Sequence, residues 1–174
     1  MTELGRPELD RLFSAAYEEL RRLASSVRSG DSSETLNPTA LVNEAWIKLA
    51  RALPAAPASR LHFKRIAARA MRQVLVDAAR RRSALKRGGD FMMVTLDRSS
   101  DASLERSEDL LALDEALDAL ARLEPRQALM VECRFFGGFE LSETAELLGV
   151  SDSTIQRDWR AARAWLGREL RRDR

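Results

Sequence analysis

Cysteine, histidine, glycine and proline are all scarce in this chain: one Cys, one His, eight Gly and five Pro in 174 residues. Each shortage removes a class of function. The lone Cys133 can form neither an internal disulfide nor a cysteine-built zinc site. The lone His62 leaves no His-based triad and no multi-histidine metal centre. Gly88-Gly89 is too short to cradle a phosphate. No apolar stretch approaches the roughly 20 residues that cross a bilayer, and the opening MTELGRPELDRLF lacks the apolar core of a signal peptide. These absences point to a cytoplasmic, non-enzymatic protein with no metal, no cofactor, no small-molecule substrate and no membrane partner.

What is present favours helices. Hydrophobic residues make up 45% of the chain, enough to bury a core, but aromatics are only 6% and Ala, Leu, Arg and Glu recur. Helix formers dominate, and a sheet has little β-branched material to use. The expectation is an all-α protein of two small helical domains, 5–89 and 109–174, joined by a linker over 90–108 that is Ser-rich and acidic. The net charge of +2 conceals segregation: residues 1–90 hold 17 Lys/Arg against 10 Asp/Glu, residues 91–125 hold 3 against 9, and residues 126–174 hold 9 against 8. Two basic regions flanking an acidic one suit two surfaces that face a polyanion.

Periodicity predicts a first helix from near Pro7 with the stripe Leu9, Leu12, Phe13, Ala16, Leu20, Leu23 and Val27. A second starts at Asn37-Pro38 and runs to about Arg51, with Leu41, Val42, Ala45, Trp46 and Leu49 on one face and Glu44, Lys48 and Arg51 on the other. A third runs from Leu61 to about Arg87, with Ile66, Ala67, Ala70, Met71, Val74, Leu75 and Ala78 inside and Arg65, Arg69, Arg72 and Arg80 outside. Residues 64–87 hold nine Lys/Arg and one acid, Asp77, a density that self-repels unless a polyanion neutralises it. A membrane-surface helix would want Trp or Phe on its apolar side; alanines there suit packing against protein. Leu110, Leu113, Leu117 and Leu120 mark a fourth helix that stops at Glu124-Pro125, and a fifth spans about Arg126–Phe136.

The segment LSETAELLGVSDSTIQRDWRAARAWL carries the most specific pattern. Ala145 is small where two steeply crossed helices touch, and four residues on Gly149 can take the left-handed turn. Val150 plugs the turn, Ser151 or Asp152 caps the next helix, and Ile155 falls ten residues after Ala145, facing the core. This is the grammar of a helix-turn-helix. Its second helix buries Ile155, Trp159, Ala162 and Leu166, so Ser153, Gln156, Arg157 and Arg160 project outward. Such side chains bond phosphates and base edges, the arginines being best suited to guanine. A plain helical hairpin with a charged surface is the bland alternative.

With those motifs in place, the chain resembles the extracytoplasmic-function type of bacterial sigma factor over about residues 5–172. LVNEAWIKL is similar to the helix such proteins press against the polymerase clamp. RIAARAMRQVLVDAARRR is similar to the segment that melts and reads the −10 element, and GVSDSTIQRDWRAARAWL to the −35-reading helix. The resemblance implies that Asn43, Glu44, Trp46 and Lys48 bind core RNA polymerase. It implies that Arg69, Arg72, Gln73, Arg80 and Arg81 contact promoter DNA, with 69–72 forming a short loop around a flipped-out base. In this family an anti-sigma protein commonly covers these faces, so one is a candidate partner. The acidic block 91–125 is a candidate to lie against the basic helix in the free protein.

Two other readings stay open on the residues alone. A stand-alone helix-turn-helix regulator with an N-terminal sensing or dimerisation domain shares the C-terminal pattern, but leaves the basic helix at 64–87 without a purpose. A helical adaptor for acidic partners leaves the Ala-Gly-Ile spacing unexplained. Cys133, among Met130, Val131 and Phe135, is expected to be a small buried residue.

Overall fold

The computed structural model describes residues 6–28, 38–52, 59–85 and 107–172, and among these every regular element is helical. The helices are α1 (Arg6–Arg28), α2 (Pro38–Ala52), α3 (Arg60–Leu85), α4 (Ser107–Leu123), α5 (Pro125–Gly137), α6 (Leu141–Leu148) and α7 (Asp152–Arg172). The all-α expectation holds. Most of the linker expected at 90–108 lies outside the described residues, as do Asn37, the run FMMVTL and Gly88-Gly89; Ser107 and Glu108 already belong to α4.

Helix ends fall where local chemistry puts them. Pro125 has no N–H to donate and bars the residue before it from helical geometry, so Glu124 turns out to φ −138° and α5 restarts at once. In front of α6, the Glu140 N–H donates to the Glu143 carboxylate at 3.0 Å, one arm of a capping box. Gly149 closes α6 at φ +63°, where a side chain would be strained. The Ser151 hydroxyl then accepts the Thr154 N–H at 3.3 Å and caps α7.

α1, α2 and α3 bury Leu20, Leu41, Val42, Leu49, Phe63, Met71 and Val74 against one another. Burying a side chain of this size contributes roughly 1.5–3 kcal/mol. On α1, Phe13 stacks on Trp46 of α2 with ring centroids 4.3 Å apart. Leu113, Leu117, Leu120, Met130, Ile155, Ala162 and Leu166 fill the space among α4, α5 and α7.

These two sets of side chains belong to one continuous core, because α3 packs on α4 and α5 as closely as on α2. Lys64, Ala68 and Arg72, four residues apart, make a second packed stripe beside the Ala67–Met71–Val74 stripe. Ala68 is fully buried, and a Cβ added to Gly137 of α5 would stand 2.8 Å from its Cβ. Glycine there lets the α3 and α5 backbones close up.

Candidate nucleic-acid interface

The outward side of α7 is built by what its inward side buries. Ile155, Ala162 and Leu166 are fully enclosed, and Trp159 is partly buried with the Arg134 guanidinium 4.5 Å from its ring centre. Asp158 is also buried, its carboxylate accepting from Arg126 Nε at 2.9 Å and pairing with Nη2 at 2.6 Å. That pair ties α7 to α5. Ser153, Gln156, Arg157 and Arg160 are all exposed, on the side away from this packing. The spacing reading missed Asp158 and Arg134 as anchors. Its signal was present: Asp158 sits three residues after Ile155, a core-facing position for a carboxylate, which demands a cation to pair with it.

On α3 the expected DNA residues divide. Arg69, Gln73, Arg80 and Arg81 are exposed, as is Arg65. Arg80 lies 3.6 Å from Asp114 and 3.8 Å from Asp77, and Arg81 lies 3.5 Å from Glu44. Arg72 is different. Its side chain is only 14% exposed, so the expectation of an outward guanidinium there is corrected. Nε donates to Asp114 at 2.7 Å, Nη1 to Glu132 at 2.8 Å, and Nη2 to Asp118 at 2.7 Å and the Asp114 carbonyl at 3.0 Å. Burial works against the charge, but the bonds to Glu132 and Asp114 outweigh it and hold the guanidinium's pKa above its ordinary value.

The loop expected at 69–72 is also corrected. α3 runs unbroken through these residues, with Ala70 and Met71 in the core; Ala, Met and Arg are strong helix formers, and nothing here interrupts them. Phe63, the aromatic nearest to hand, is fully buried and presents no face to a base.

On α2, Asn43 is exposed, Glu44 and Lys48 are partly covered, and Trp46 is turned onto Phe13. Lys48 donates to Asp77 at 2.6 Å. The residue that composition alone did not single out is Ile47, a large apolar side chain left 50% exposed one turn after Asn43. Its position off the Leu41–Leu49 stripe was the available signal. Between α2, α3 and α5 a cavity of about 450 Å³ opens, lined among others by Lys48, His62, Arg65, Arg69, Gln73 and Glu132. Its walls carry more positive than negative charge, which suits a phosphate group.

Among the described residues, no group of His, Cys, Asp or Glu stands close enough to hold a metal, and no helix is long and apolar enough to cross a membrane. Cys133 is fully buried, and burial, followed by the Glu132 charge, pushes its thiol pKa up to about 12.

Exposed arginines thus stand on two separate helices, α3 and α7, each backed by a packed core. The family model for ECF sigma factors matches residues 6–172, and the chain belongs to that family. Its role is therefore that of a sigma factor in transcription initiation, with core RNA polymerase and promoter DNA as the partners the family implies. The matched span includes the N-terminal half, where a stand-alone regulator would need an unrelated sensing domain. No curated protein and no solved structure matches the chain.

Proposed function

We propose that this sigma factor reads a two-part promoter, with α7 on the −35 element, α3 on the −10 element and α2 docked on core polymerase. The observation that carries the reading is the outward face of α7. Four side chains able to bond bases or phosphates stand together on a capped helix whose opposite side is anchored by Ile155, Asp158 and Leu166. α6 and α7, joined by the Gly149 turn, act as a helix-turn-helix, and the N-terminal part of α7 enters the major groove.

On α3 the DNA-facing row is Arg65, Arg69, Gln73, Arg80 and Arg81, acting chiefly through phosphates. On α2, Asn43 and Ile47 offer the polymerase an uncovered polar and apolar pair, while Trp46 supports the helix from behind. Glu44 and Lys48 contribute at the edge of that face. An anti-sigma protein would have these surfaces to cover.

Arg157 tests the reading. It lies two residues past Ile155, about 200° around the helix, so its donor fork can reach a guanine, worth about 1–3 kcal/mol of discrimination. Purified core polymerase plus the chain should give promoter-specific run-off product. Arg157→Ala holoenzyme should lose the penalty at one base pair of the −35 element in a base-by-base promoter scan. A uniform loss at every variant would leave Arg157 a phosphate contact, and no loss would put the wrong face of α7 on DNA.

A further inference from the structure

We propose that the cavity between α2, α3 and α5 is a binding site for a nucleoside monophosphate, an effector rather than a substrate, whose phosphate is held by Arg65 and Arg69. The site goes beyond the sigma reading; only its consequence for promoter binding rests on the assignment of α3 to DNA.

Charge selects the phosphate. Three cations line the cavity, Lys48, Arg65 and Arg69, against one carboxylate, Glu132. Lys48 is already paired with Asp77, and Glu132 accepts from Arg72 at 2.8 Å. Arg65 and Arg69 remain: among the described residues, neither is paired with a carboxylate. They stand one turn apart on α3, with Cβ atoms about 5–6 Å from each other, so both guanidinium forks can reach one phosphate monoester.

The rest of the lining selects a nucleoside. Beside the cationic edge the floor is apolar: Leu49 and Ala70 are buried, and Ile66 and Leu129 are partly buried. A flat heterocycle covers such a floor, whereas a sugar phosphate leaves it wet. Gln73 and Glu132 offer an amide and a carboxylate to the amino group of a base or the hydroxyls of its sugar. Glu132 is able to do so because Arg72 Nη1 occupies only one of its oxygens. The volume of about 450 Å³ falls within the roughly 300–1,000 Å³ of small-molecule sites. Arg65, Arg69 and Gln73 also belong to the row assigned to DNA, so an occupied cavity denies promoter phosphates these three donors.

Calorimetric titration of the full chain with the 5′-monophosphates of adenosine, guanosine, cytidine and uridine tests the site. At least one should bind saturably with a Kd below about 1 mM. The matching nucleoside and ribose 5-phosphate should each bind at least about tenfold more weakly, since one lacks the charge-assisted bonds and the other the apolar contact. Leu129→Trp fills the cavity from α5 without altering a charge, and should abolish binding. Arg65→Ala/Arg69→Ala should do the same, and as a change at exposed positions it leaves the fold intact. No saturable binding by any of the four, equal binding of ribose 5-phosphate, or undiminished binding by the arginine variant would overturn the proposal.

The consequence for DNA is read in a mixture of the chain, core polymerase and a fluorescent promoter duplex, without substrate nucleotides. With the tightest-binding of the four monophosphates at about ten times its Kd, wild type should need about tenfold more chain for half-maximal promoter complex, and Leu129→Trp no more than before. An unchanged requirement in wild type would overturn the overlap with DNA. Failure of the chain to form any promoter complex would instead refute the sigma reading, while calorimetry alone decides the cavity.

Discussion

Replacing Lys64 by Met should destabilise the protein by about 2 kcal/mol, and the reason is the asymmetry of its ion pair. Lys64 is 4% exposed and Glu143 24% exposed, with the ammonium 2.9 Å from one carboxylate oxygen and 4.6 Å from the centre of the Phe139 ring. Breaking a fully buried pair costs about 3–5 kcal/mol, most of it the charge left behind. Here the charge left behind is the carboxylate, and water reaches part of it. Met fills the volume of the lysine stem, so little packing is lost. The two corrections bring the cost to about 2 kcal/mol, or roughly 4–8 °C in Tm for a chain of this size.

Glu143→Gln should cost at least as much, because the more buried partner is then the one left charged. The double substitution should be no worse than Lys64→Met alone. Urea unfolding followed by circular dichroism for all four proteins yields the coupling. A coupling of at least about 1 kcal/mol is expected for residues in direct contact; one below about 0.5 kcal/mol would refute the view that this pair fastens α6 to α3.

Acid should expose the same bond. Although burial raises the Glu143 pKa, the Lys64 hydrogen bond and the Glu140 N–H lower it further, leaving it below the ordinary carboxylate value. The sign follows: its stabilisation is complete above about pH 4.3 and is lost as pH falls through the lowered folded value. Lys64→Met should flatten that acid limb of a stability–pH curve. Cys133, with its thiol pKa near 12, has about one thiolate in ten thousand at pH 8, so maleimide labelling should wait for unfolding and rise with urea along the unfolding curve. Labelling in native buffer at the rate of an open thiol would contradict its burial. Ile47→Asp should abolish co-purification with core polymerase while shifting stability by no more than about 0.5 kcal/mol, as exposed changes do; retained binding would move the docking face elsewhere.

Most of the helical plan was legible because its signals are local. Pro38, Glu124-Pro125 and Gly149 each act on their own backbone, and the helix boundaries observed at Pro38, Pro125 and Leu148 follow them. The outward residues of α7 were legible for the same reason, since Ile155 sets the phase and Ser153, Gln156, Arg157 and Arg160 follow from 100° steps. Trp46 was not: periodicity places it beside Ala45 and Leu49, but only tertiary structure supplies Phe13 as its partner. Ile47 was in view as a residue off the stripe, yet a single exposed apolar side chain is ordinary and gains meaning only beside the partly covered Glu44 and Lys48.

The second face of α3 was hidden for a physical reason. A periodic reading assigns Lys and Arg to water and counts alanine as weakly apolar, so Lys64, Ala68 and Arg72 look like the edge of a solvated row. What reverses this is four carboxylates from distant sequence, Asp114, Asp118, Glu132 and Glu143. A buried arginine is tolerable only when each donor is met, and three helices must converge to meet them. The acidic block noted at 91–125 held part of that complement in Asp114 and Asp118, whereas Glu132 and Glu143 lie beyond it. Charge segregation along the chain thus foretold an attraction between the halves. It did not foretell which guanidinium would be enclosed, because that depends on Gly137 letting α5 approach Ala68 closely enough to carry Glu132 onto Arg72.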